Sequence, residues 1–276
     1  MEKHLKISED FYSVQGEGPS TGIPSYFIRL QNCNFCCGDT WKHVNEVKAK
    51  GENAITSGSF KGVLEDEGKA TWTCDSIPVW VHGHKKPMDY LINRWDEEKI
   101  LDMVLEGRCH LIWTGGEPTL PQNQNSINDF IDHLDDWCKM NGRWSGIYNE
   151  IETNGSIEMN DQLFINIDQI NCSAKLANSG MPADKRINPE AIELIKNHPN
   201  YNFKFVVSSE DDIREAYETY IYPFEIPVEN VCMMPGLDNR HDFHKQTNFI
   251  LEMSKKYGFR GLQRLHISAW GEVTGV

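Results

Sequence analysis

The chain has 276 residues, 39% hydrophobic and 25% charged, and a formal net charge of −14. It is long enough to bury a substantial core. Its acidic balance argues against a nucleic-acid surface, which works by clustered Lys and Arg displacing counterions, and no apolar run approaches the roughly 20 residues that span a bilayer.

The opening "MEKHLKISEDFYSV" is polar and has no signal-peptide core. This points to a cytoplasmic protein, in which the eight cysteines serve as ligands, catalysts or buried apolar groups rather than disulfides. "SYFIRL" (25–30) reads as a buried strand. Arg29 sits within it, where a guanidinium is costly to bury unless paired. "RLQNCNFCCGDTW" then places Cys33, Cys36 and Cys37 within five positions. Soft thiolates suit zinc or iron–sulfur clusters. Cys33 and Cys36 make a C-x2-C pair, but no second pair follows to close a zinc site. Three cysteines on a four-iron cluster leave one iron open.

Residues 41–72 are polar and weakly periodic, and read as an excursion from the core; "TWTCDSIPVW" after them supplies Cys74. "HGHKK" (82–86), the densest basic run, reads as a solvated loop. "HLIWTG" (110–115), "YNEIET" (148–153), "QINCSA" (169–174), "NFKFVV" (202–207), "VCMMPG" (231–236) and "RLHISAW" (264–270) read as further buried strands. "NSINDFIDHLDDWCKMNG" sets Ile127, Phe130, Ile131, Leu134, Trp137 and Cys138 on one helical face and stops at Gly142. "NPEAIELIKNH", "DDIREAYETYI" and "HDFHKQTNFILEMSKKYG" are also helical patterns. Strands alternating with helices imply parallel βαβ units with right-handed crossovers. The expected fold is a single α/β domain over 1–276: an open, partial β/α barrel of about six parallel strands with flanking helices. In such sheets chemistry gathers at the carboxyl ends of the strands. Cys109, Cys138, Cys172 and Cys232 lie in or beside apolar elements and are expected to pack in the core.

Two features together, Cys33-x3-Cys37 and "TGGEP" (114–118) at a strand end, resemble the radical S-adenosylmethionine superfamily. "FYSVQGEGPSTGIPSYFIRLQNCN" (11–34), then "TGGEPTL", "ETNG" (152–155), "SAK" (173–175), "NFKFVV", "MMPG" and "RLHISAWG", is similar in content and order to the 7-carboxy-7-deazaguanine synthases. The resemblance covers nearly the whole chain. It departs at the cluster motif, where Thr40 stands at the usual third-cysteine position and "CDS" at 74–76 follows the excursion. The set implied is Cys33, Cys37 and Cys74, with Cys36 packing beside the cluster.

The resemblance implies conversion of 6-carboxy-5,6,7,8-tetrahydropterin to 7-carboxy-7-deazaguanine with loss of ammonia, using a [4Fe–4S] cluster, S-adenosylmethionine and magnesium. It implies a flavodoxin-type or similar electron donor and a homodimer. Gln15, Glu17, Arg29 and His266 would bind the pterin, Arg29 as a bidentate fork to its carboxylate. Gly115, Gly116, Glu117, Thr153, Asn154, Ser173 and Lys175 would hold S-adenosylmethionine. Ser76 stands where the family has its magnesium-binding threonine, and Thr40 is its rival. Two other readings stay open: another radical enzyme such as a glycyl-radical activase, and a non-enzymatic zinc protein.

Overall fold

The computed structural model describes residues 3–51, 70–236 and 243–271. Among the described residues nine strands form one sheet: β1 (His4–Val14), β2 (Pro24–Leu30), β3 (His84–Pro87), β4 (His110–Gly115), β5 (Asn149–Thr153), β6 (Gln169–Cys172), β7 (Tyr201–Val207), β8 (Val231–Pro235) and β9 (Arg260–Gly261). Their order is β3-β1-β2-β4-β5-β6-β7-β8-β9. Every pairing from β2 to β9 is parallel. The sheet does not close, so the expected partial barrel is present, with six parallel strands of four or more residues and the two-residue β9 beside them. The N-terminal β1 pairs antiparallel with both β2 and β3.

The crossovers carry α1 (Trp41–Lys50), α2 (Ile77–Trp80), α3 (Asp89–Glu97), α4 (Leu101–Leu105), α5 (Pro121–Met140), α6 (Asp161–Asn166), α7 (Ala183–Arg186), α8 (Pro189–Lys196), α9 (Glu210–Ala216) and α10 (Phe243–Tyr257); α11 (Leu265–Trp270) follows β9. Local chemistry starts several of them. Pro121 opens α5 in its first turn, Asn188 caps α8 by accepting from the Glu190 and Ala191 amides, and Ser209 with Asp212 forms a capping box on α9.

Strand alternation gives the parallel sheet two unlike faces. Ile28, Leu30, Leu111, Trp113, Ile151, Ile170, Phe203, Phe205 and Val231 pack in the main core with α3 and α5. There Trp95 meets Tyr26 and Phe130 edge-on, at ring separations of 5.9 and 5.8 Å. The opposite face bears Arg29, Thr114, Glu150, Glu152, Asn171 and Lys204, an unusually polar set for strands this buried. Cys109, Cys138, Cys172 and Cys232 are all buried, as expected.

Three expectations need correction. "RLHISAW" is not a strand: residues 265–270 form α11, half-buried to exposed, whose first amide donates to the Gly16 carbonyl across the molecule (Leu265 N to O, 3.0 Å). "HGHKK" is not wholly a loop, because His84–Pro87 is β3, the exposed edge strand; lysines are a usual way to blunt such an edge. The segment 41–72 is not simply an excursion. Trp41–Lys50 is helix α1, capped by Thr40 and anchored through buried Val44 and Val47, and Trp72 is buried; residues 52–69 lie outside the described residues.

Candidate active site

The loop between β1 and β2 carries the QGEG motif. Gln15 is buried, and its amide group both accepts from the Glu17 backbone and donates to Glu152 at 3.3 Å. Gly16 has no side chain because none fits: a Cβ there would lie 2.3 Å from Nδ1 of His266. The imidazole of α11 therefore packs directly on the motif. Burial pushes the His266 pKa down, against the opposing pull of Glu17.

Glu17 is held between two cations. Arg264 Nε donates to its Oε1 at 2.8 Å and Lys204 Nζ to its Oε2 at 3.1 Å. Burial alone would push its carboxyl up, but Lys204 and Arg264 outweigh that and hold it below the usual carboxylate range. Lys204 also donates to Glu152 at 3.0 Å, and Glu152 accepts from Thr114 at 3.1 Å. On the other side, Arg264 reaches Asp75 at 3.3 Å, and Ser76 donates to Asp75 at 3.0 Å. Arg29 donates to Ser76 at 3.1 Å. The four substrate candidates and Ser76 thus converge on one connected region above the polar face of the sheet.

Arg29 is the least settled member. Its Nε lies 3.1 Å from Glu9 Oε2, yet both atoms are buried without a hydrogen-bond partner, so the pair is close but misaligned. Its guanidinium also lies over the Phe11 ring, 5.7 Å from the centroid. The guanidinium is held by Glu9 and Ser76, and an incoming carboxylate would take its remaining donors.

The cysteines separate into two environments. Cys36 is buried in a small apolar cluster with Val44, Val47, Ile77, Trp80 and Val81. Cys37 packs with Phe35 and Trp72, and Cys33 and Cys74 flank both groups. The Cys74 amide donates to the Cys37 carbonyl at 3.0 Å, which brings the distant cysteine back to the motif. None of the eight is in a disulfide. Burial pushes all three thiols up, Cys37 to about 12, with Glu117 adding to it at Cys33, Cys74 at Cys37 and Asp75 at Cys74; Lys175 opposes the shift at Cys37 and Cys74. Among the described residues no three Cys, His, Asp or Glu side chains close on one point as a single metal ion requires. Cys33, Cys37 and Cys74, gathered around the Phe35 and Trp72 side chains, offer the soft thiolate donor set that an iron–sulfur cluster takes.

The cofactor candidates occupy the carboxyl ends of three adjacent strands, β4, β5 and β6. Gly115 and Gly116 end β4, Thr153 and Asn154 end β5, and Ser173 and Lys175 follow β6, with Lys175 donating to Ser173 at 2.8 Å. Glu117 is buried and accepts from the Thr119 amide and hydroxyl, the Thr153 hydroxyl and the Asn154 amide at 2.7–2.9 Å. It braces the β4 and β5 ends together. Asn154 in turn donates to Asn34 at 2.8 Å, tying the β5 end to the cysteine loop. Thr40, by contrast, caps α1 by accepting from His43 at 3.1 Å.

Lys204, Glu152, Arg264 and Asp75 were not among the residues expected from the sequence. A lysine inside the apolar "NFKFVV" was a readable signal, of the same kind as Arg29 in "SYFIRL".

No family model matches the chain. It is 26% identical over 271 residues to the 7-carboxy-7-deazaguanine synthase of Pyrobaculum aerophilum, covering 98% of this chain and 97% of that protein. The 7-carboxy-7-deazaguanine synthase of Halobacterium salinarum is 25% identical over 295 residues, covering 97% and 91%. Among solved structures, the crystal structure of QueE from Escherichia coli matches with a TM-score of 0.53 at 18% identity, over 95% of each chain, a likeness of fold. Over nearly its whole length the chain is therefore similar to 7-carboxy-7-deazaguanine synthases, and its fold is like that of one of them.

Proposed function

We propose that this protein is the ring-contracting lyase that converts 6-carboxy-5,6,7,8-tetrahydropterin to 7-carboxy-7-deazaguanine and ammonia, a step of 7-deazapurine biosynthesis. The observation that carries this reading is the convergence of Cys33, Cys37 and Cys74 beside Gln15, Glu17, Arg29 and His266 at one mouth of the sheet. The bound cluster and S-adenosylmethionine supply a hydrogen-abstracting radical. The chain binds, orients and excludes water, because such a radical attacks almost any nearby C–H bond. Glu17 accepts from the pterin N–H edge, Gln15 and His266 add polar contacts, and Arg29 takes the carboxylate. Gly115, Gly116, Asn154, Thr153, Ser173 and Lys175 cradle S-adenosylmethionine, with Glu117 acting through its brace on their backbones.

We assign magnesium to Ser76 rather than Thr40. The Ser76 hydroxyl sits beside Arg29 and Asp75 and would offer the cation an oxygen ligand there, whereas Thr40 is engaged as a helix cap. Ser76→Ala should abolish magnesium stimulation of turnover. Thr40→Ala should keep that stimulation and lose about 1 kcal/mol of stability with the cap. Magnesium titrations of the two variants check this; the reverse pattern returns the role to Thr40.

The reading also entails a one-electron donor of flavodoxin type. It is further read as a single domain over 1–276, supported by one main core, and as a homodimer, to be checked by light scattering. A cytoplasmic site would keep the thiols reduced.

Turnover tests the function directly. Anaerobically reconstituted protein given the pterin, S-adenosylmethionine, magnesium and a reductant should form the deazapurine, with ammonia released, by mass spectrometry. Cleavage of S-adenosylmethionine with the pterin untouched would keep the superfamily and sink this substrate. Arg29→Lys should lower kcat/KM about 10- to 150-fold, since lysine keeps the charge and loses the fork that a charge-assisted bond of about 1.5–3 kcal/mol requires. Unchanged kinetics would remove Arg29 from the substrate site.

A further inference from the structure

We infer that Lys204 is a positioning residue for pterin recognition: it fixes the Glu17 carboxylate by tying it to Glu152, a carboxylate anchored in the sheet. The inference rests on the pterin reading of the site and adds to it a residue that touches neither cofactor nor substrate.

Lys204 lies on the polar face of β7 and is 1% exposed, among the most buried large side chains of the molecule. An ammonium in that position needs compensation. It finds two carboxylates at nearly equal distance, Glu17 at 3.1 Å and Glu152 at 3.0 Å. These two differ in how they are held. Glu152 belongs to β5 and is fastened by Thr114 from the neighbouring strand and by Gln15. Glu17 belongs to a loop, and beyond Lys204 its carboxylate is held by Arg264, another residue outside the parallel sheet strands. Lys204 is therefore the link through which the loop carboxylate takes its position from the rigid sheet. Gly18, the residue after Glu17, lies against the lysine stem: a Cβ there would sit 3.8 Å from its Cδ and 3.3 Å from the Asn171 side-chain oxygen. The motif loop rests on the sheet at this point.

The charges agree with the geometry. Burial works against the Lys204 ammonium, but Glu152 and Glu17 outweigh it and raise its pKa. The groups facing Glu17 are Lys204, Arg264 and His266, with Glu152 and Asp75 behind the two cations. A carboxylate that must accept from ring N–H groups has to be both ionised and aimed. Arg264 also supplies charge to Glu17, but it comes from the C-terminal segment and pairs on its other side with Asp75 rather than with a sheet carboxylate.

The test separates positioning from bulk neutralisation. Lys204→Met leaves Glu17 and Glu152 without their shared cation and is expected to raise the KM for the pterin at least about tenfold, the loss of one charge-assisted bond, and more than it lowers kcat. The double variant Lys204→Met, Glu152→Gln removes the unpaired buried charge, so it should regain thermal stability while its KM stays raised. A double variant with a wild-type KM would show that the lysine only neutralises Glu152, and would overturn the proposal. A readout free of folding variants uses the wild type: isotope-edited infrared spectra should show Glu17 still ionised at about pH 3, where an ordinary glutamate is mostly protonated, because Lys204 and Arg264 hold its pKa below the usual range. A protonated Glu17 at that pH would overturn the proposal as well. If the wild type binds another substrate altogether, the pterin reading fails, while the infrared result and the stability of the double variant still report on the lysine.

Discussion

Replacing Cys33, Cys37 or Cys74 with alanine is expected to give a chain without an intact four-iron cluster and without turnover, while Cys36→Ala keeps both. The spacing argument is that Cys33-x3-Cys37 reproduces the superfamily pair. The structure adds a packing argument. Cys36 and Cys37 are consecutive, and their side chains enter different surroundings: Cys36 the apolar cluster of Val44, Val47, Ile77 and Trp80, Cys37 the group around Phe35 and Trp72. Cys37 and Cys74 are joined through the backbone and feel each other's charge, with the Lys175 ammonium nearby to favour their thiolates. Their raised pKa values mean that loading the cluster must release protons, which soft metal–thiolate bonding drives. No hydroxyl can substitute: Thr40 at the usual third-cysteine position is a helix cap. Losing the Cys36 thiol should cost only packing, about 1–2 kcal/mol. Iron per chain and the colour of reconstituted protein check the set. A colourless Cys36→Ala beside an intact Cys37→Ala would reverse the assignment.

The sheet was legible where its strands are apolar on both sides of the charged residue. "SYFIRL" and "NFKFVV" became parallel strands in which Ile28 and Leu30 flank Arg29 and Phe203 and Phe205 flank Lys204, and "HLIWTG" became another on its run Leu111, Ile112 and Trp113. The flanking β1 and β3 were not legible, since an edge ribbon buries little. Of β1, only Leu5 and Ile7 are buried, and β3 is His-Lys-Lys-Pro. "RLHISAW" misled for a tertiary reason. Its alternation of large apolar residues fits a strand, but no strand edge receives it; the Leu265 amide instead bonds to the QGEG loop and the chain turns helical. The candidate site divides in the same way. The residues named from motif positions do converge. The cations that organise them, Lys204 and Arg264, depend on which side chains the fold sets face to face across 187 and 247 positions of sequence, and spacing along the chain carries no such information.

Gly116→Ala is expected to be as damaging as loss of a cluster ligand, although it removes no chemical group. A Cβ on residue 116 would lie 1.7 Å from the Asn32 carbonyl oxygen, 2.3 Å from its carbon and 3.1 Å from the Cys33 amide nitrogen. All three atoms are backbone, so no side chain can swing aside. Nor can the loop retreat cheaply. The Gly116 amide donates to the Leu30 carbonyl at 3.0 Å and the Glu117 amide to the Asn32 carbonyl at 2.8 Å, continuing the β2–β4 ladder into the segment that bears Cys33. A methyl group must therefore break that ladder or push Cys33 off the cluster. Overpacking against fixed backbone should cost about 3 kcal/mol or more, and cluster content should fall with it. Gly142→Ala is the control. Gly142 has a positive φ of 62° but nothing within 4 Å of an added Cβ, so only the backbone penalty applies, about 1 kcal/mol. Thermal unfolding and iron content of the two variants, measured side by side, check the argument. A Gly116→Ala protein that loads a full cluster and melts like the Gly142→Ala control would mean that the β4 end does not hold the cysteine loop in place.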